Sequence, residues 1–297
     1  MKQIIFLSIL LFTLCVNPVR AQQFADLIVL KGRSIEVYFS PGYEVRAAAI
    51  ALRVEKALAY DQQLLGFKPT ATLLVLSAAD WNKYAAKGAV FGMPHYTDMK
   101  TLIVAAHDNA FWKSFVPPLD QLPDNLRAQV TTVYKTGDSS LSMQAFFDLL
   151  AIHELGHAFH QQAGLTMQRK WMGELFVNIL LHTYVAENEP QSLQALTLFP
   201  KMVVAAGSNE FKYTSLKDIQ ERYEEIGQHY PKNYGWCQCR WHVASADIYD
   251  QSGKQVGKKL WDALKMQNAI LNDQQLIIFL SEKADKSVAD MVVNWDN

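Results

Sequence analysis

The sequence predicts an α+β fold in which a sheet with packed helices comes first and a mainly helical lobe follows. Between residues 34 and 105, short apolar or alternating segments are interspersed with segments of helical periodicity, the order that builds a sheet with helices against it. After Gly164 the spacing of apolar residues is helical almost throughout. The chain has 297 residues and no internal repeat, which suits one large domain or two tightly joined lobes.

Three segments predict β-strands, because each is short, rich in β-branched or apolar residues and bounded by turn residues. They are residues 34–39, 71–76 and 101–105. A proline-rich segment over 115–125 follows the last strand. We expect it to be an ordinary surface connection, with the rim of a cleft as the less favoured alternative.

Helices are predicted where apolar residues recur every three to four positions. In the first half these are residues 44–65, ended by Gly66, then 78–86 and 125–135. The apolar positions of the first helix are predicted to be Val45, Ala49, Leu52, Val54, Leu58 and Leu65. In the second half the predicted helices are 171–184, 193–205, 215–227, 234–249, 256–266, 273–281 and 286–293.

One further predicted helix contains His153 and His157 with Glu154 between them, in the spacing His-Glu-x-x-His. A Ser within 137–140 is expected to cap this helix, and Gly164 to end it. Positions i and i+4 lie one turn apart on one helix face, so both imidazoles can reach one metal ion. Glu154 lies beside them, where it can accept a proton from a metal-bound water. The alternative is an amphipathic helix whose two buried histidines hold no metal.

Two histidines hold zinc weakly, which predicts a third protein ligand downstream. A His six residues after His157 would complete one arrangement, but that residue is Ala163. Glu174, on the next predicted helix, fits the other common solution of two His and one Glu with water in the fourth position. Glu187 and His182 are the alternatives for this ligand.

The N-terminus has the composition of a signal peptide. Lys2 precedes an apolar run over 4–16, too short for a typical membrane span, and Ala21 supplies a small residue at the expected cleavage position. We therefore expect residues 1–21 to be removed on export, with an uncleaved anchor as the alternative. Residues 22–297 are then expected to form a single catalytic domain, with an α/β lobe over 22–163 and a helical lobe over 164–297.

The mature chain keeps two cysteines, Cys237 and Cys239, which are too close in sequence for an unstrained disulfide. We expect them to be small buried side chains rather than metal ligands. An exported chain without a disulfide framework favours a periplasmic or secreted location in a bacterial envelope. The formal net charge of −1 gives no indication of nucleic acid as a partner, and no later apolar stretch is long enough for a membrane span.

These motifs resemble the gluzincin metallopeptidases, in which a second metal-binding helix reads Trp-x-x-Glu-Gly-x-Ala. Trp171 and Glu174 match that pattern, whereas Leu175 and Phe176 depart from it at the small residues. The resemblance covers approximately residues 34–260. It implies a zincin-like fold, with a mixed sheet ahead of the first metal-binding helix and one Zn²⁺ ion in the site.

The resemblance also implies how a substrate is held. A peptide is expected to pair with an edge strand along the cleft, and residues 101–105 match that strand by position.

Tyr234, near the start of a predicted helix, and His242 are the candidates for stabilising the oxyanion of the tetrahedral intermediate. Asn178 is either an outer support of the metal ligands or an ordinary packing residue. The segment 91–95 lacks the Glu with which the aminopeptidase branch binds a free amino terminus.

Together these residues predict an exported zinc-dependent peptidase. His153, His157 and Glu174 are expected to hold the zinc, and Glu154 to act as the general base. The alternative is a zinc-containing binding protein of the same fold that has lost the activity.

Overall fold

The computed structural model describes residues 23–296, so the predicted signal peptide over 1–21 lies outside the described residues. A small mixed sheet occupies the first part of the described chain, and helices make up most of the rest. The α+β class and the order of its two parts are therefore confirmed. None of the helices in the described range combines the length and the hydropathy that a bilayer span needs.

Five strands of the described chain form one mixed sheet. They are β1 (Ile28–Val29), β2 (Glu36–Phe39), β3 (Thr72–Leu76), β4 (His95–Thr97) and β5 (Thr101–Ala105). The order across the sheet is β1-β2-β3-β5-β4, with β2, β3 and β5 parallel and one antiparallel strand at each edge. The three predicted strands correspond to the parallel centre, where both faces are covered and every residue of β3 and β5 is buried.

The strand over residues 101–105 is not an edge strand. It pairs with β3 on one side and with β4 on the other. Its backbone donors and acceptors are therefore taken by two neighbours, and the expectation that a peptide adds to residues 101–105 is wrong. The edge strand on this side of the sheet is β4, which the sequence did not predict because its three residues show no apolar alternation.

Four of the five helices of the first part lie close to predicted positions, whereas the short third helix was not predicted. They are α1 (Glu44–Leu65), α2 (Ala78–Tyr84), α3 (Ala110–Ser114), α4 (Asp124–Tyr134) and α5 (Gln144–Gln162). The predicted apolar face of α1 is partly wrong, since Val45 and Leu52 are 86% and 47% exposed. Small residues such as Ala47 and Ala51 are buried instead. The prediction from periodicity considered mainly large apolar side chains, whereas a closely packed helix face also contains small residues.

Helix α5, which carries the His-Glu-x-x-His spacing, begins later than predicted. Its first residue is Gln144, and the preceding Met143 makes no side-chain cap. The predicted Ser cap within 137–140 is therefore wrong. The backbone N–H of Gln144 donates instead to Ser142 Oγ, at 3.2 Å. Gly164, with a φ of 66°, follows the end of α5 as predicted.

The helical lobe is organised around α6, which is almost entirely buried. Its helices are α6 (Lys170–Asn188), α7 (Leu193–Ala205), α8 (Leu216–His229), α9 (Pro231–Ser252), α10 (Val256–Met266), α11 (Asp273–Phe279) and α12 (Lys286–Val293). Helix α6 packs against α5 on one side and against α9 on another. Helix α9 starts three residues before its predicted start at 234, because Pro231 suits the first turn of a helix.

Helices α5 and α6 approach closely at Gly156. A Cβ atom on Gly156 would lie 2.9 Å from Val177 Cβ, which is too short for an ordinary contact. Gly156→Ala is therefore expected to push apart the two helices that carry the histidines and Glu174. Such overpacking costs about 1–3 kcal/mol of unfolding free energy.

Gly235→Ala in α9 is the matched control, since a Cβ atom there meets no neighbouring atom within 4 Å. Both variants gain helix propensity of at most about 1 kcal/mol, so the difference between them isolates the helix contact. Urea unfolding of the two proteins measures this difference. Equal stability would show that the contact at Gly156 is not tight.

Candidate metal centre

Two neighbouring helices bring together the side chains of His153, His157 and Glu174. The histidines lie one turn apart on α5, and Glu174 lies on α6. One ligand atom from each residue lies within 4.8 Å of the others. The distance from His153 Nε2 to Glu174 Oε2 is 3.2 Å, and that from His157 Nε2 to Glu174 Oε1 is 3.8 Å. Two imidazole nitrogens and a carboxylate that converge in this way can hold a metal ion.

Among residues 23–296, these three form the group of His, Cys, Asp or Glu side chains that can surround an ion. The alternative third ligands have other partners. Glu187 accepts a hydrogen bond from Tyr249 Oη at 2.6 Å and pairs with Lys254 at 3.4 Å. The His182 ring packs on the Tyr249 ring, with 5.3 Å between centroids. Of the three candidates, the structure brings Glu174 to the histidines.

Burial and mutual contact determine the charges of the three residues. Burial favours the neutral acid of Glu174, but His157 and His153 outweigh it and hold the pKa of Glu174 well below its ordinary value. Burial lowers the pKa of His157 to about 4. Burial also opposes protonation of His153, yet its contact with Glu174 leaves the pKa of His153 raised. The site thus holds an ionised carboxylate beside a neutral imidazole at His157, whereas His153 would lose a proton to solvent when its ring nitrogen binds a cation.

Each histidine also has a partner at its other ring nitrogen. His153 Nδ1 lies 3.1 Å from Asn178 Oδ1, and His157 Nδ1 lies 2.9 Å from His160 Nε2. With a cation on the Nε2 side, each Nδ1–H donates to this partner, which fixes the tautomer and the ring orientation. Asn178 thus lies where its side chain can orient the His153 ring from outside the three candidate ligands. The role of His160 was not predicted, although its spacing of three residues from His157 places it on the same helix face.

Glu174 is held by two residues that the sequence did not indicate. Tyr223 Oη, on α8, donates to Glu174 Oε1 at 2.8 Å. Gln238 Nε2, on α9, lies 3.0 Å from Glu174 Oε2 and 2.8 Å from Tyr234 Oη, and donates to both. No local pattern distinguishes Tyr223 or Gln238 from a packing residue, because their roles depend on how three helices meet.

A cavity of about 530 Å³ opens beside the three residues, and Glu154, Tyr234 and His242 also line it. Burial, together with the charge of Glu174, raises the pKa of Glu154 to about 7. The His242 ring lies 6.2 Å from the His153 ring. The candidate base and both candidates for an oxyanion donor therefore face the same cavity.

The two cysteines lie on α9, and both are free and buried, as expected. Burial raises the pKa of each thiol, to about 12 for both Cys237 and Cys239. Both thiols therefore stay protonated at neutral pH.

No protein-family model, curated protein or solved structure matches this chain.

Proposed function

We propose that the protein is a zinc-dependent peptidase of gluzincin type with a zincin-like fold, exported as its N-terminal residues predict. The observation that carries the proposal is the convergence of His153, His157 and Glu174, with Glu154 in the same cavity. Two imidazoles and one carboxylate with an open fourth position are a ligand set of catalytic zinc. When bound, Zn²⁺ would polarise the substrate carbonyl and lower the pKa of a bound water.

Other side chains around the zinc ligands transfer the protons and donate a hydrogen bond to the oxyanion. Glu154 accepts the proton of the attacking water at its carboxylate and delivers it to the leaving amine. Burial raises the pKa of Tyr234, so its hydroxyl keeps the proton and remains a donor toward an oxyanion. Gln238 donates to Tyr234 Oη and so orients that hydroxyl. His242 is the alternative donor.

The proposed partner is a peptide that lies along β4. This strand ends the sheet, and Met93, two residues before it, lines the cavity. An extended peptide that adds to such an edge gains backbone hydrogen bonds and passes the cavity.

Metal analysis and peptide cleavage on one sample test the proposal. The purified chain over 22–297 is expected to contain about one zinc ion per molecule, as a site with a single set of ligands requires. Mass spectrometry of a peptide library should show cleavages that a chelator abolishes and added zinc restores. A zinc-containing protein that leaves the library intact would instead be the alternative, a binding protein of the same fold. A protein without metal would contradict both.

His160 is expected to strengthen zinc binding by accepting the hydrogen bond of His157. His160→Leu removes the acceptor and should weaken zinc affinity by about 10- to 100-fold, the effect typical of an outer partner. His160→Gln keeps an acceptor and should restore most of the affinity. Competition with a chromogenic chelator measures both values.

His182→Leu is the matched control, because His182 is also a buried histidine but packs on Tyr249. Its zinc affinity should equal that of the unaltered protein. Equal affinities for His160→Leu and His160→Gln would show that the contact does not orient His157.

A further inference from the structure

One wall of the cavity beside the metal centre is formed mainly by aromatic side chains. Its apolar wall consists of six residues from α3, α5, α7 and the segment after α3: Phe111, Phe115, Phe146, Phe147, Leu150 and Phe199. Four of them are only partly buried, namely Phe111, Phe115, Leu150 and Phe199, so they present surface to the cavity. This wall is a concave apolar surface of the kind that binds an organic side chain.

The phenyl rings form one connected wall. The Phe199 ring centroid lies 5.5 Å from that of Phe146 and 5.8 Å from that of Phe115. The Phe111 ring lies 5.0 Å from that of Phe115 and 5.3 Å from that of Phe147. Rings in edge or tilted contact at these distances stabilise one another, so the wall is formed before a ligand arrives.

The wall reaches the metal centre along one face of α5. Leu150 lies one turn before Glu154, and Phe146 lies one turn before Leu150. The Phe146 ring also contacts the ring of His242, with 5.8 Å between centroids. A substrate side chain that binds to this wall therefore belongs to a peptide whose backbone passes Glu154 and the zinc ligands.

Charged groups are confined to the metal end of the cavity. Among the described residues that line it, the ionisable acids are Glu154 and Glu174, and there is no Lys, Arg or Asp. The apolar wall therefore offers no Lys or Arg side chain to pair with a free carboxyl terminus or an acidic side chain. Moving an unpaired charge into such a cavity is costly, so the cavity discriminates against charged residues.

We propose that this aromatic wall binds a bulky apolar side chain, of phenylalanine or leucine size, next to the scissile bond in the interior of a peptide. The inference depends on the proposed peptidase function and specifies its substrate class, apolar segments cut away from their ends. Burying a phenyl group rather than a methyl group predicts a preference of about 10- to 100-fold in kcat/KM.

Three peptides, acetylated and amidated at their ends, test the preference. They differ at one residue beside the cleaved bond, which is Phe, Ala or Glu. The unaltered enzyme should cleave the Phe peptide about 10- to 100-fold faster than the Ala peptide, and the Glu peptide more slowly still. Equal rates for the three peptides, or faster cleavage of peptides with free ends, would overturn the proposal.

Phe199→Arg places a cation on the wall from α7 and leaves the sequence of the motif helix unchanged. It should slow cleavage of the Phe peptide at least about 10-fold and speed cleavage of the Glu peptide, whereas Phe199→Leu should keep the original order. Zinc content should be the same in all three proteins. An unchanged order of rates in Phe199→Arg would show that the substrate does not contact this wall.

Binding measured without turnover distinguishes failure of the apolar pocket from failure of the peptidase function. Fluorescence polarisation with Glu154→Gln should show tighter binding of the labelled Phe peptide than of the Ala peptide. If the Phe peptide binds more tightly than the Ala peptide but the unaltered enzyme cleaves neither, the proposed peptidase function is wrong and the proposed apolar pocket is supported. If the enzyme cleaves all three peptides at the same rate, the proposed apolar pocket is wrong and the proposed peptidase function is supported.

Discussion

Glu154→Gln is expected to reduce peptide hydrolysis by about 10²- to 10⁴-fold, the usual contribution of a general acid–base group. The amide has the size of the carboxylate but cannot accept the proton of the attacking water. Zinc content should not change, because the proposed zinc ligands are His153, His157 and Glu174. Steady-state cleavage rates and metal analysis of the same preparation measure both effects.

Glu210→Gln is the control for this variant, since Glu210 is exposed and does not line the cavity. It should retain the rate of the unaltered enzyme. A Glu154→Gln protein with normal zinc content and full activity would end the proposed mechanism.

Glu174→Gln is expected to weaken zinc binding by more than the roughly 100-fold upper effect of an outer partner, because it removes the one anionic ligand. The change also removes the charge that Tyr223 and Gln238 contact. Hydrolysis should fall together with zinc content. Excess zinc should restore part of the activity of Glu174→Gln and none of the activity of Glu154→Gln. Zinc titration followed by rate measurement shows the difference.

Glu187→Gln is the matched control, since Glu187 lies on the same helix and was the alternative ligand by sequence. It loses contacts with Tyr249 and Lys254 and should bind zinc as the unaltered protein does. Loss of zinc from Glu187→Gln, or its retention at full affinity in Glu174→Gln, would show that the third ligand is assigned wrongly.

Helix positions were predictable because the signals that start and end a helix lie next to it. Helices α7 and α10 have the predicted bounds, and Gly66 and Gly164 end α1 and α5 as expected. The sheet was harder to predict, because strand pairing joins residues that are far apart in the chain. Strand β4 has only three residues, and its presence at the edge changes where a substrate can add.

The spacing of His153 and His157 can be read directly from the chain, because the pitch of a helix places residues four apart on one face. Glu174 could also be predicted from the sequence, because an acid on an otherwise apolar helix needs a partner. Tyr223, Gln238 and the wall of phenyl rings became visible only after folding. Tyr223 and Gln238 lie 49 and 64 residues from Glu174, and the rings come from separate elements. Local propensity carries no record of which distant helices meet, so helix packing alone defines the shape and the apolar character of the cavity.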